Sequence, residues 1–211
     1  LTRYTNPGTR SLYRQTLDKI MSFAGDSPVR FEQLNVRWLA DFEQSMSHMA
    51  INGRGVHLRN LRHIIYLAID EEVTDILNPF RKFRIEQEET LKRLLAIAEI
   101  RKLRDYPCES WQKIYIDMFM LIFYLQGINI VDLCYLTREN INGDRIEYIR
   151  RKTKRKYSIK IEPEAREIID RYRGKRYLLN IMDQYKSYVN FRRLLNENLR
   201  IIGPTKTLRY N

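Results

Sequence analysis

The chain of 211 residues is poor in several things, and each shortage removes a class of protein. It has two cysteines, Cys108 and Cys134, too few for a disulfide framework or for a zinc site of their own. That usage suits a reducing compartment, so a cytoplasmic protein is expected. With 8 Gly, 6 Pro and no recurring period, collagen-like, mucin-like and repeat architectures are excluded. The longest apolar run, Met118 to Leu125, falls well short of the roughly 18–20 residues of a membrane span, so no membrane partner is expected. Neither G-x-x-x-x-G-K-[ST] nor G-x-G-x-x-G before a helix occurs, and no carboxylates converge as a metal nuclease requires. No cofactor and no metal is therefore expected. Acid is the scarcer charge: 26 Asp+Glu stand against 38 Lys+Arg, a net charge of +12. A polyanionic partner is the first expectation.

With 44% hydrophobic and 11% aromatic residues, the chain has enough to build a substantial core. The first 75 residues read as a helical unit. One helix follows Asn6-Pro7 and stops at Gly25-Asp26-Ser27-Pro28, and a second runs from Val36 to Met49 with Asn35 as its cap. A third, from about Asn52 to Glu72, turns Val56, Leu61, Ile64, Ile65 and Ala68 inward and Arg54, His57, Arg59, Arg62 and His63 outward. Residues 76–91, with Asn78-Pro79, an extended Phe80–Ile85 and the charged Glu86–Glu89, are expected to be a linker. Beyond them, residues 92–211 form a second domain of mixed pattern. Helices are expected over Ala96–Asp105, Trp111–Leu125, Ile130–Leu136, Glu164–Tyr172 and Ser187–Ile201. A β-hairpin pairs Arg145–Lys152 with Lys156–Ile161. Trp38, Phe42, Trp111, Phe119 and Phe123 sit among aliphatics at helical spacing and are assigned to packing. The fold class is mostly α with a small antiparallel sheet (α+β).

The most specific stretch is Tyr124-Leu125-Gln126-Gly127-Ile128-Asn129-Ile130-Val131-Asp132-Leu133-Cys134-Tyr135-Leu136, followed by the hairpin carrying Arg151-Lys152-Thr153. Here the chain resembles the tyrosine recombinases, the phage-type integrases. In that family a buried helix ends in Gly, the first catalytic Arg follows two residues later, an acidic residue comes next, and a β-hairpin presents a catalytic Lys. The N-terminal helices resemble the family's core-binding domain. Tyr4-Thr5-Asn6-Pro7 and Asp105-Tyr106-Pro107-Cys108-Glu109 resemble a branch carried by bacterial mobile elements.

The resemblance implies a partner, double-stranded DNA, and a chemistry. A Tyr hydroxyl attacks a phosphodiester to leave a 3′-phosphotyrosyl link, Arg side chains stabilise the phosphate oxygens, and a Lys protonates the leaving 5′ oxygen. By alignment Lys152 is that Lys. Asn129 occupies the position of the first Arg and brings no charge there; Arg138 and Arg150 are the nearest substitutes. The family's second box, His-x-x-Arg, does not occur: His48, His57 and His63 all lie in the N-terminal half, and none has Arg at the third following position. Tyr210 lies before the point where the nucleophile would be expected. The chain, starting at Leu1 without Met, is accordingly expected to be part of a longer bacterial protein that assembles as a homo-oligomer on DNA, and to bind DNA without cutting it. Arg54, Arg59 and Arg62 on the third helix, with Arg151, Lys154, Arg155 and Lys156 in the basic run 150–156, are the expected nucleic-acid contacts. The rival reading is a non-catalytic DNA-binding or architectural protein on the same fold.

Overall fold

A computed structural model of the chain describes residues 6–25, 27–89 and 95–202. The chain divides into two compact units, Leu1–Lys92 and Arg93–Asn211.

The first unit is built on three α-helices. Helix α1, Pro7–Ala24, starts where Asn6 Oδ1 accepts hydrogen bonds from the backbone N–H of Gly8 and Thr9, with Pro7 in its first turn, and ends at Gly25 with φ +67°. Helix α2, Val36–Ser45, is capped by Asn35, whose Oδ1 accepts from Trp38 N–H at 2.9 Å. Helix α3 runs Ile51–Asp70. Leu39, Phe42, Met46, Leu58, Leu61 and Ile65 form the core between them. Trp38 stacks on Phe42 with centroids 5.2 Å apart, and Phe23 meets Trp38 edge-on.

Two expectations are corrected here. His57 is not on the outer face of α3 but 4% exposed, because the buried stripe passes through His57, Leu58, Leu61, Ile65 and Ala68, leaving Val56 and Ile64 half-buried. Its Nδ1 lies 2.9 Å from Thr16 Oγ1, which also accepts from Asn60 Nδ2 at 2.9 Å. A polar network inside the interface of α1 and α3 thus absorbs what reads in sequence as a solvent face. The segment expected as a linker is also tied down. A 3-10 turn at Pro79–Arg81 buries Phe80, and Ile76, Phe83 and Ile85 pack on the same core. Further along, Asn52 Nδ2 donates to Glu88 O at 2.8 Å while Asn52 Oδ1 accepts from Glu88 N–H at 3.1 Å.

The second unit surrounds helix α5, with α4 (Ile97–Arg104) before it in the chain. Helix α5, Lys113–Tyr124, buries eight of its twelve residues, which is why it is apolar on nearly every side. Trp111 and Phe123, assigned to packing, are 61% and 46% exposed, since Trp111 precedes the helix and Phe123 faces outward near its end. The chain then enters α6, Ile130–Cys134. Next come β1 (Ile141–Asn142), β2 (Arg145–Ile149) and β3 (Lys156–Lys160), in the order β1-β2-β3, all antiparallel. The register pairs Arg145 with Lys160 and Ile149 with Lys156. Ile146 and Ile159 therefore point to the core while Arg145, Glu147 and Ser158 face water. Helix α7, Pro163–Arg171, carries Pro163 in its first turn; α8, Ile181–Gln184, is short; α9 runs Tyr188–Ile202. Asp117, 3% exposed on α5, holds α7 through Arg171 Nη1 at 2.6 Å and Tyr172 Oη at 2.9 Å, with Lys113 Nζ at 3.0 Å from its other oxygen. Phe191 of α9, fully buried, stacks on Tyr115. Gly203-Pro204 and Tyr210 lie outside the described residues. Among the described residues no helix is long and apolar enough to cross a membrane.

Candidate nucleic-acid interface

The site grows from the end of α5. The helix unwinds at Leu125, and the chain reverses through Gln126 (φ +54°) and Gly127 (φ +79°), with Gly127 N–H donating to Ile122 O at 2.8 Å. No atom would lie within 4 Å of a Cβ at Gly127, so backbone conformation, not space, calls for glycine there. This reversal delivers Asn129 to the start of α6, where its Oδ1 accepts from Val131 N–H at 3.1 Å. Asn129, the residue aligned with the family's first Arg, is thus a half-buried helix cap.

One turn on, Asp132 is 4% exposed, and its Oδ1 accepts a hydrogen bond from the backbone N–H of Arg151 at 3.0 Å. This bond fastens the hairpin tip to α6. The Arg151 guanidinium lies over the Tyr135 ring, 4.3 Å from its centroid, and adds a second tie between the same two elements. The tip is closed by Arg150 N–H donating to Arg155 O at 2.8 Å and Lys154 N–H donating to Arg150 O at 2.9 Å, with Lys154 at φ +58°. Lys152 sits one residue beyond the anchored Arg151, exposed. The structure therefore brings the Asn129 segment and the Lys152 turn onto one fastened unit.

From Arg151 to Lys156 every residue is exposed, and no cation of the run 150–156 forms an ion pair among the described residues. Six cations without an acid form a strongly positive, solvent-facing tip. Of the two substitutes for the first Arg, Arg138 donates to Gly174 O at 3.3 Å, whereas Arg150 is half-buried at the mouth of the tip. In the first unit, Arg62 is exposed, while Arg54 and Arg59 are half-buried; Arg54 Nε and Arg59 Nη1 are shielded without a hydrogen-bond partner. No group of three or more His, Cys, Asp or Glu among the described residues could hold a metal. Burial pushes the Cys134 thiol up to about 12, which leaves no thiolate nucleophile at α6. Desolvation, followed by its bond to Asp117, also raises the Tyr172 phenol well above its ordinary value.

Sequence reasoning missed Asp132 as the anchor of the tip. The signal was the acid three residues after Asn129, flanked by Val131 and Leu133, a charge in an otherwise apolar run. It also missed the cations of the 81–84 segment, which reads as a linker.

Residues 2–85 match the phage integrase SAM-like domain. A lambda integrase tetramer bound to a Holliday junction superposes with a TM-score of 0.73 at 16% identity, covering 100% of this chain and 64% of that one. A lambda integrase dimer on a COC' core site gives 0.72 at 16% identity, over 93% of this chain and 75% of that one. The Tn1549 transposon integrase in complex with transposon right end DNA gives 0.71 at 16% identity, over 98% and 77%. No curated protein matches the chain in sequence. The fold is shared with these integrases. The family match thus covers the N-terminal part of the chain, and the likeness in fold extends over both units. It spans 64% of the lambda integrase chain that it matches along its whole length.

Proposed function

We propose that the full-length protein carries out site-specific DNA recombination through a 3′-phosphotyrosyl intermediate, and that this chain supplies its DNA-binding surfaces and its general acid. The first unit acts as the core-binding domain and the second as the N-terminal part of the catalytic domain. The observation that carries this reading is the bond from Arg151 N–H to Asp132: it holds the Lys152 turn against the helix that Asn129 caps. A general acid must be held where the leaving oxygen departs, and an anchored tip provides that where a free loop would not. The exposed cations around it are suited to the phosphate backbone. DNA-bound relatives of the fold, solved as a dimer and a tetramer, support duplex DNA as the partner and assembly on it. The likeness to a transposon integrase supports a mobile-element origin. Since no His-x-x-Arg occurs in the 211 residues, this chain binds duplex DNA without cleaving it.

A second reading has one observation in its favour. Asn129 stands where the family's Arg would bind phosphate, and its oxygen is engaged as a cap, which fits a non-catalytic DNA-binding protein. One experiment separates the two. In the full-length protein, Lys152→Ala should slow cleavage by about 10²–10⁴-fold and leave DNA binding nearly unchanged. A substrate with sulfur at the bridging 5′ position needs no proton to release its thiolate, and should restore most of that rate. Rescue of Lys154→Ala instead would make Lys154 the acid; absence of any cleavage by the full-length protein would favour the architectural reading.

A further inference from the structure

The segment that follows α3 and the helix itself line an open concavity of about 400 Å³. Its lining is cationic: Arg59 and Arg62 from α3, and Arg81, Lys82 and Arg84 from the segment. None of the five forms an ion pair or a side-chain hydrogen bond among the described residues, and Arg59 Nη1 is shielded from solvent with no partner at all. Cations gathered around one concavity repel one another, and a guanidinium nitrogen out of water without an acceptor is destabilising. An anion held among these side chains would offset their mutual repulsion.

The concavity is also held in shape. The reciprocal bonds between Asn52 and Glu88 lay the segment along the N-terminal half of α3. Gly55 allows the close approach, since a Cβ there would lie 3.4 Å from Glu86 O and 3.0 Å from Arg59 Nη1. At the other end, buried Phe80 meets Phe83 edge-on with centroids 5.8 Å apart. A site fixed by its own scaffold loses little entropy when it binds. Planar guanidinium groups converging from two elements suit the tetrahedral oxygens of a phosphate, which accepts from several directions at once.

We propose that this concavity is a phosphate pocket that takes one backbone phosphate of duplex DNA, with exposed Arg62 and Arg84 at its rim and half-buried Arg59 in its wall. The assignment of DNA as the source of the phosphate rests on the function proposed above; the pocket itself rests on the geometry of the first unit alone. Three of its five cations belong to a stretch that reads in sequence as a linker.

The test uses the whole chain and the substitutions Arg62→Gln and Arg84→Gln, both at exposed positions where the fold has little to lose. Binding to a duplex is followed by fluorescence anisotropy over a range of salt. Because both side chains hold the same phosphate, the double substitution should lower the slope of log K against log salt by about 0.9, the value for one phosphate. A fall of about 1.8 would mean two separate surface contacts, and no change would mean none; either overturns the pocket. In parallel, inorganic phosphate should shift the backbone amides of residues 81–84 in the unsubstituted chain and not in the double variant. Phosphate shifts combined with an unchanged DNA slope would overturn DNA as the occupant. A chain that binds no duplex at all, yet shifts with inorganic phosphate, would overturn the broader functional reading and leave an anion pocket standing. Absence of shifts with an unchanged slope would overturn the pocket alone.

Discussion

Replacing Asp132 by Ala should release the basic hairpin tip. In the structure the Asp132 carboxylate is 4% exposed, and its Oδ1 accepts from Arg151 N–H at 3.0 Å. A hydrogen bond to a charged acceptor contributes about 1.5–3 kcal/mol. If opening of the tip is what exposes this N–H, its loss should speed hydrogen exchange of the Arg151 amide by about 10- to 150-fold, at about 1.4 kcal/mol per factor of ten. Asp132→Asn keeps an oxygen in place without the charge and should fall between the two, since charge roughly doubles the strength of such a bond. Global stability should change by less than the local figure, because an ionised carboxylate in the interior carries a desolvation cost of its own. Amide exchange read by NMR, with chemical denaturation alongside, measures both quantities. If Arg151 exchanges equally fast in the Ala variant and the parent chain, Asp132 does not anchor the tip.

Lys154, at φ +58°, tests the turn and the charge together. A non-glycine residue in the left-handed region costs about 1–2 kcal/mol, and glycine's extra chain entropy offsets part of the relief. Lys154→Gly should therefore raise stability by up to about 1 kcal/mol in denaturant, while weakening DNA binding most at low salt; a loss of stability would count against the turn geometry. Burial first, and then the charge of Lys19, holds the His57 imidazole below its ordinary value of 6.5. The unfolded chain therefore binds a proton at this site more readily than the folded one, and stability declines as pH falls from about 6.5 through the folded value. Urea titrations between pH 5 and 7.5 should show this decline, and His57→Gln should flatten it; an unchanged profile would assign it to other groups. Phe191→Ala removes a fully buried ring packed on Tyr115 and Tyr185 and should cost about 3–5 kcal/mol in urea. A cost below 1 kcal/mol would mean that the cavity collapses.

Local pattern carried much of this fold. The alternation of Ile146 and Tyr148 against Tyr157 and Ile159 marks a hairpin with one buried face, and the register has them paired in that way. Asn6-Pro7, Asn35 and Pro163 announce helix starts through the backbone groups that they cap or lack. What pattern could not convey is which partner a residue meets far along the chain. His57 reads as exposed beside Arg54 and Arg59, yet Thr16, 41 residues earlier, gives it a buried partner. Residues 76–85 look like a spacer because Asn78-Pro79 and the alternating charges break helical periodicity; their apolar half lands on the core of α2 and α3. β1 was not foreseen, since two residues are too few to show alternation. At the candidate site, the resemblance singles out Lys152 and Asn129, but the bond joining their elements has no signal in the sequence, because its donor is a backbone N–H.

The bond between Asp132 and Arg151 also bears on the order in which the molecule folds. Its two ends lie 19 residues apart, whereas the hydroxyls of Tyr115 and Tyr185 meet across 70. Loop-closure entropy grows with the logarithm of loop length, so the shorter connection is cheaper by about 1 kcal/mol. Helix α6 and the hairpin can thus come together as a local unit before α8 and α9 arrive. The segment that carries Lys152 is then among the first parts of its unit to acquire native geometry, and α9 later packs on α6 and sets Tyr188 against Tyr135.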